Sequence, residues 1–229
     1  MRALALAGAA ATMATVVALQ TGVHRQPVEL SGAPILAAGS DIMAGIAEIP
    51  SRIKNYDYLR AAFGESWTDD NPAPGGHNGC DTRNDILNRD LVDKTYISIK
   101  RCPQAVASGV LRDPYSNATV VFTRGNNVGA AVQIDHIVPL ALAWDLGARA
   151  WPATQRLRFA NDPANLIAVS GKVNQDKGDQ EPGVWMPPNS AFHCQYAVAF
   201  TAVLRGYRLP VDAPSGRALR RAAEGCPRH

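Results

Sequence analysis

Asp135 and His136 are a carboxylate and an imidazole set side by side inside an apolar run, Val132-Gln-Ile-Asp-His-Ile-Val-Pro139. Burying such a pair costs several kcal/mol unless each group is paired or holds a metal ion. A hydrogen-bonded structural pair meets that demand, and so does a reactive site. An imidazole titrates near neutral pH and can take a proton from water. A carboxylate oxygen and an amide carbonyl oxygen are hard ligands, suited to Mg²⁺ or Mn²⁺ when water and phosphate oxygens complete the shell. The amide is available downstream, in Asn174, with Lys177 three residues further on.

These residues need elements to hold them. Val132, Ile134, Ile137 and Val138 are β-branched and Pro139 closes the run, so Val132 to Val138 reads as a buried strand. Asn165-Leu-Ile-Ala-Val169 reads as a second short strand, opened by Asn165. Ser170 to Asp179 reads as a short helix, with Ser170 near its start and Gly178 as its stop. Asn174 and Lys177 then share one helical face. Between the strands, Leu140–Leu146 and Ala153–Phe159 read as helices. Upstream, Thr82 is expected to cap a helix running to about Leu91, with Asp85 in its first turn. Strands follow at Thr95–Lys100, Val106–Leu111 and Thr119–Thr123, and Ile42–Ile49 is expected to be helical. Ser190–Leu204 is the longest expected helix, and Ser215–Glu224 the last, with Gly225 as its stop. The class is α+β.

In this order the segments resemble the ββα-metal (HNH) nucleases. They resemble more closely the secreted actinobacterial HNH family, which is related to the C-terminal nuclease domain of modification-dependent restriction enzymes. The residues that carry the likeness are Asp135-His-Ile-Val-Pro-Leu140, Phe159-Ala-Asn-Asp-Pro163, Asn165-Leu166, Val169-Ser-Gly171, Asn174-Gln175 and Lys177-Gly-Asp179. Cys80-Asp-Thr-Arg-Asn-Asp-Ile-Leu87, Asp113-Pro-Tyr115, Trp185-Met-Pro-Pro188 and Cys194-x-Tyr196 fit as well. The resemblance runs from about residue 55 to the C-terminus.

That resemblance implies a ββα-metal core with a helical insertion, additional N-terminal strands and C-terminal helices. It implies hydrolysis of nucleic-acid phosphodiesters, DNA being favoured over RNA. His136 would act as the base, and Asp135 and Asn174 as ligands of one divalent ion, Mg²⁺ or Mn²⁺. Asn165 would position the base, Lys177 would bind a phosphate, and Arg83 would be a further substrate contact. The alternative is a catalytically silent nucleic-acid-binding or toxin-type module on the same fold. One departure is chemical: Asn174 stands where the family name expects histidine, which disfavours Zn²⁺ and Ni²⁺ and weakens metal affinity. One difficulty is geometric. Neighbours in a regular strand point to opposite faces, so Asp135 and His136 reach one ion only if the backbone bends or one acts from the strand end.

The rest of the chain sets the context. Met1 to Leu19 is apolar, with Arg2 at its start and no acidic residue, and reads as a signal peptide, with a membrane anchor as the alternative. The expected division is 1–38 for that segment and the start of a linker, 39–54 for a Gly-, Ala- and Pro-rich linker, and 55–229 for the nuclease domain. An exported protein with no stable membrane association after cleavage, and a monomer, is expected. Four cysteines in an exported chain favour two disulfides, and three connectivities are possible. Cys80–Cys102 and Cys194–Cys226 are expected, because each pair brackets one structural unit. No Cys-x-x-Cys, His-Glu-x-x-His or Gly-x-Ser-x-Gly occurs, which leaves zinc-ribbon, zincin and esterase readings without a site. The net charge of +3 is too mild to name a nucleic-acid partner, although Arg149, Arg156, Arg158 and Lys172 flank the motif. Trp144, Trp151 and Trp185 are expected in the core.

Overall fold

The computed structural model describes residues 34–125 and 131–228. The segment read as a signal peptide and the first part of the linker lie outside the described residues.

In chain order the elements are β1 (Glu48–Ile49), α1 (Thr82–Asp90), β2 (Val92–Ile99), β3 (Cys102–Arg112), β4 (Thr119–Thr123), β5 (Val132–His136), α2 (Leu140–Asp145), α3 (Ala153–Asn161), β6 (Leu166–Ser170), α4 (Gly171–Lys177), α5 (His193–Tyr207), β7 (Val211–Asp212) and α6 (Ala213–Glu224). Among the described residues this is a mixed α+β fold with three small sheets. β2, β3 and β4 form an antiparallel meander, β5 pairs antiparallel with β6, and β1 pairs parallel with β7.

Two apolar clusters hold these elements. The smaller joins Ile86, Leu87 and Leu91 at α1 to Val106 and Leu111 of β3, Val132 and Ile134 of β5, and Leu166 and Ala168 of β6. The larger packs α2, α3, α5 and α6 around Phe159, Phe200, Leu204 and Leu219. Each such buried side chain contributes roughly 1.5–3 kcal/mol from removal of apolar surface from water. The β5–β6 pair lies where the two clusters meet, since Val169 of β6 belongs to the larger one. The motif strands are therefore clamped from both sides.

Three expectations differ in detail. Ile42–Ile49 is not a helix. Asp41 ties Met43 N–H through its side chain, Gly45 sits at φ +78°, and the chain makes turns before entering β1. Glycine takes that left-handed conformation at no steric cost, and it ends any helical run. Asp81, not Thr82, caps α1, accepting from Asn84 N–H at 2.7 Å. Thr82 turns inward and donates to Asn161 Oδ1 at 2.9 Å. The long helix α5 begins at His193, after a 3₁₀ turn at Ser190–Phe192 that Asn189 caps.

The stretch read as linker, 39–54, is built into the fold over its described length. Ile42 and Met43 are buried in the larger cluster, and β1 adds to β7. Arg52 is an ion-pair hub: Nε meets Asp145 at 2.7 Å, Nη2 meets Asp179 at 2.8 Å and Nη1 meets Glu181 at 2.8 Å. A composition rich in Gly, Ala and Pro did not reveal this, because one arginine and two apolar residues supply the anchorage.

The disulfides are Cys80–Cys102 and Cys194–Cys226, and the structure has no free cysteine among the described residues. The second ties the start of α5 to the chain after α6 across a separation of 32 residues. Chain-entropy arithmetic for that loop gives about 3–4 kcal/mol of stabilisation. The double variant Cys194→Ala/Cys226→Ala is expected to lose that much in denaturant unfolding. A loss below about 1 kcal/mol would contradict the estimate.

Candidate active site

The site is built outward from β5. Its register with β6 runs without a bulge from Val132↔Ser170 to His136↔Leu166. Side chains therefore alternate. Val132 and Ile134 enter the smaller core, and Gln133 and Asp135 face α4, whose Asn174 and Lys177 reach them. His136 shares its side of the strand with Ile134 and meets α3 and Trp67. Asp135 and His136 thus point to opposite faces, and no backbone bend reconciles them. Both nevertheless line one cleft of about 480 Å³, together with Arg60, Trp67, Arg83 and Asn174. They do so because they are the last two residues of the strand.

Asp135 is buried, and its Oδ2 accepts from Tyr115 OH at 2.7 Å and from Lys177 Nζ at 2.6 Å. Its Oδ1 receives no hydrogen bond from another described side chain. Lys177 is 0% exposed and also donates to the His136 carbonyl at 2.7 Å. Burial pushes the Asp135 carboxyl up and the Lys177 ammonium down, and each opposes the other's shift by its charge. Burial, with the nearby Asp135 charge, also pushes the Tyr115 phenol well up, which keeps it a donor. Lys177, expected at a phosphate, is instead placed inside the protein. It fixes Asp135 and the main chain of His136.

His136 Nε2 lies 2.9 Å from Ala160 O. A carbonyl only accepts, so Nε2 carries the proton and Nδ1 keeps its lone pair. The ring stacks on Trp67, with centroids 5.4 Å apart and planes 13° from parallel. Burial lowers its pKa to about 3, so the imidazole is neutral near pH 7.

Asn165 is buried and brackets Val138. Its Oδ1 accepts from Val138 N–H at 2.8 Å and its Nδ2 donates to Val138 O at 3.2 Å. The Asn165 carbonyl accepts from Ile137 N–H at 2.8 Å. It holds the loop that leaves His136, and its hydrogen bonds go to that loop rather than to the imidazole. Asn174 Nδ2 donates to Gln133 Oε1 at 2.8 Å, which leaves the Asn174 carbonyl oxygen unengaged by that contact. Arg83 is half-buried and uses Nη2 on Val132 O at 3.0 Å, and burial, with Arg124 nearby, lowers its pKa.

Asp135 Oδ1 and Asn174 Oδ1 are two oxygens on cleft-lining residues that could hold a metal ion. Among the described residues no three His, Cys, Asp or Glu side chains gather into a ligand cluster. A hard ion that keeps several water or phosphate ligands suits two protein oxygens, and a tetrahedral nitrogen- and sulfur-ligated ion does not.

The sequence signals missed Trp67, Arg60 and Arg52. Trp67 has φ +60°, and its carbonyl accepts from Thr82 N–H at the start of α1. A non-glycine residue in that conformation costs of order 1–3 kcal/mol and persists only where its surroundings impose it. Nothing in a Trp-Thr-Asp-Asp-Asn-Pro loop announces a stack on His136. Tyr115 did carry a signal, as the end of Asp113-Pro-Tyr115.

Residues 81–222 match the family described as GmrSD restriction endonucleases, C-terminal domain. The chain belongs to this family. Asp135, His136, Asn165, Asn174 and Lys177 all fall inside the matched segment, and Arg52, Tyr56 and Trp67 precede it. A protein of Arthroderma benhamiae named "Uncharacterized secreted protein" is 39% identical over 150 residues, covering 64% of this chain and 68% of that protein. No solved structure matches. Membership of a restriction-endonuclease domain family points to a nuclease, a hydrolase that binds nucleic acid.

Proposed function

We propose that this protein is a secreted, metal-dependent endonuclease of the HNH type, acting on DNA by a one-metal mechanism with His136 as base. The observation that carries the proposal is the cleft itself. It gathers a neutral imidazole with a free nitrogen, two hard oxygens not engaged by other side chains, and two guanidinium groups, Arg60 and Arg83. The path β5, β6, α4 supports the HNH assignment, since two antiparallel strands run directly into a helix that covers the Asp135 face.

The chain's own residues divide the work. His136 Nδ1 takes a proton from the attacking water. The Ala160 carbonyl fixes the tautomer, and Trp67 fixes the plane of the ring. Burial that keeps the imidazole neutral also weakens it as a base, and the negative phosphate beside it in the complex offsets that loss. Arg83 and Arg60 bind the phosphate oxygens, Asn165 holds the loop after His136, and Lys177 sets Asp135. A divalent ion held by Asp135 and Asn174 would supply charge stabilisation on the phosphoryl and leaving oxygens. Because Lys177 already balances the charge of Asp135, the protein alone would hold such an ion weakly, and substrate phosphate would add to its ligands.

Export is supported by the apolar N-terminal stretch, by two disulfides and by the name of the fungal relative, a secreted protein. The test is incubation of purified protein with single-stranded DNA, plasmid DNA and RNA, in Mg²⁺, Mn²⁺ or EDTA. Cleavage is expected with either ion, on DNA in preference to RNA, and none is expected with EDTA. Full activity after exhaustive chelation would remove the metal from the mechanism.

A further inference from the structure

The segment from Arg52 to Arg60 has no helix or strand before its last residue, yet it is held at Arg52, Asn55, Asp57 and Tyr58. Arg52 is fixed by three carboxylates. Asn55 donates its backbone N–H to Asp145 Oδ1 at 2.7 Å. Asp57 accepts from Trp144 Nε1 at 3.0 Å and from Arg149 Nε at 2.7 Å. Tyr58 packs between Phe63 and Trp144, with ring centroids 6.3 and 6.2 Å away. The residues between these anchors face solvent: Ile53 is 75% exposed, Tyr56 99% and Leu59 68%. Large apolar side chains left in water this way, in a group, mark a binding surface more often than chance exposure.

The location says what would bind. Tyr58 and Arg60 line the His136 cleft, and Tyr56 is two residues from Tyr58, within about 7 Å along the chain. Asp179 also lines this cleft and is tied to the segment by Arg52, whose Nη2 lies 2.8 Å from its carboxylate. This edge of the cleft thus carries a guanidinium, Arg60, four residues from a fully exposed aromatic ring, Tyr56, and Arg83 lines the same cleft. That combination fits single-stranded nucleic acid, where cations follow the backbone and aromatic faces stack on bases. A duplex covers its base faces with neighbouring pairs and offers no free face to Tyr56. A held segment also loses little freedom on binding.

We infer that residues 53–60 form a docking lip for single-stranded nucleic acid, on which Tyr56 stacks a base close to the phosphate in the cleft. The inference rests on the nuclease reading, and names the form of substrate that this site takes.

Binding is measured by fluorescence anisotropy in EDTA, so that no cleavage intervenes. The probes are a labelled short single-stranded oligonucleotide, the same sequence as a duplex, and an oligonucleotide of equal length made of abasic units. Wild-type protein is expected to prefer the single strand. Tyr56→Ala should weaken that binding roughly 5- to 150-fold, and Tyr56→Trp should retain it. The abasic chain should bind wild-type and Tyr56→Ala equally. Circular dichroism and melting should be unchanged in both variants, since Tyr56 packs against nothing. Equal affinity of wild-type and Tyr56→Ala for the single strand overturns the inference, as does duplex preference, or a Tyr56-dependent affinity for lipid vesicles in place of oligonucleotides. A protein that binds in this way and never cleaves with Mg²⁺ or Mn²⁺ sinks the nuclease reading and leaves the lip standing.

Discussion

Lys177→Met is expected to destabilise the protein by about 3–5 kcal/mol. The ammonium is fully buried and makes contacts of 2.6 Å to Asp135 Oδ2 and 2.7 Å to the His136 carbonyl. Methionine fills similar space and offers neither bond. What remains is a buried carboxylate with Tyr115 as its side-chain donor. A lysine on the surface at a phosphate site would behave otherwise, since exposed charges are worth about 0–1 kcal/mol and their loss shows in substrate binding. Equilibrium unfolding in denaturant separates these outcomes. The sign of the pH dependence follows from the same contact. Losing the positive partner raises the Asp135 pKa further above its unfolded value, so the defect is present above that folded pKa and eases as pH falls through it. Asp135→Asn/Lys177→Met should recover much of the lost stability, because no charge is then stranded. A Lys177→Met protein as stable as wild type would show that the pair is not a structural keystone.

The same lysine marks the limit of what the sequence discloses about the site. Spacing placed Asn174 and Lys177 on one helical face, the family resemblance set Asn174 beside Asp135, and the structure turns that face to β5. Spacing could not say how deep the face lies. A lysine reads as a surface residue until its burial is known, because the ammonium normally stays in water. The strand alternation of Asp135 and His136 was legible from the period of two, and β5 keeps it. How both still reach one cleft was not legible, since it depends on the strand ending at His136 beside Trp67, a residue distant in sequence.

The fold follows a similar division. The local reading of the sequence located β3, β4, β5 and β6 and the helices α2, α3 and α6. These depend on local pattern. The two cysteine pairs also emerged as expected, because each closes a unit that local pattern defines. The stretch 39–54 was read as a linker because its anchorage is long-range. Arg52 gains its partners from Asp145, Asp179 and Glu181, about a hundred residues away. No window of sequence contains such a network. Its consequence is functional as well as structural, because Asp179 lines the cleft and the exposed lip at 53–60 starts from this hub.

His136→Gln is expected to lower the rate of phosphodiester cleavage by about 10²–10⁴-fold while the protein remains folded. Glutamine is chosen over alanine because its amide can still donate to the Ala160 carbonyl, which the imidazole now satisfies at 2.9 Å. Alanine would leave that buried acceptor unpaired, at a cost of about 1–3 kcal/mol, and would confuse stability with catalysis. An amide cannot accept a proton from water near neutral pH, so the general-base contribution disappears. Metal affinity by calorimetry should be unchanged, because Asp135 and Asn174 remain and their oxygens lie on the other side of β5. Residual cleavage should rise as pH rises, since hydroxide then replaces the missing base. Asp135→Ala should differ in kind, losing metal binding together with turnover. If His136 is instead only a core residue that fills the space between Trp67 and α3, the variant will melt earlier while each folded molecule cuts as fast as wild type. Melting temperature, calorimetric metal titration and plasmid cleavage measured on one preparation decide between the two, and a stable His136→Gln protein cutting DNA at the wild-type rate would end the assignment of the base.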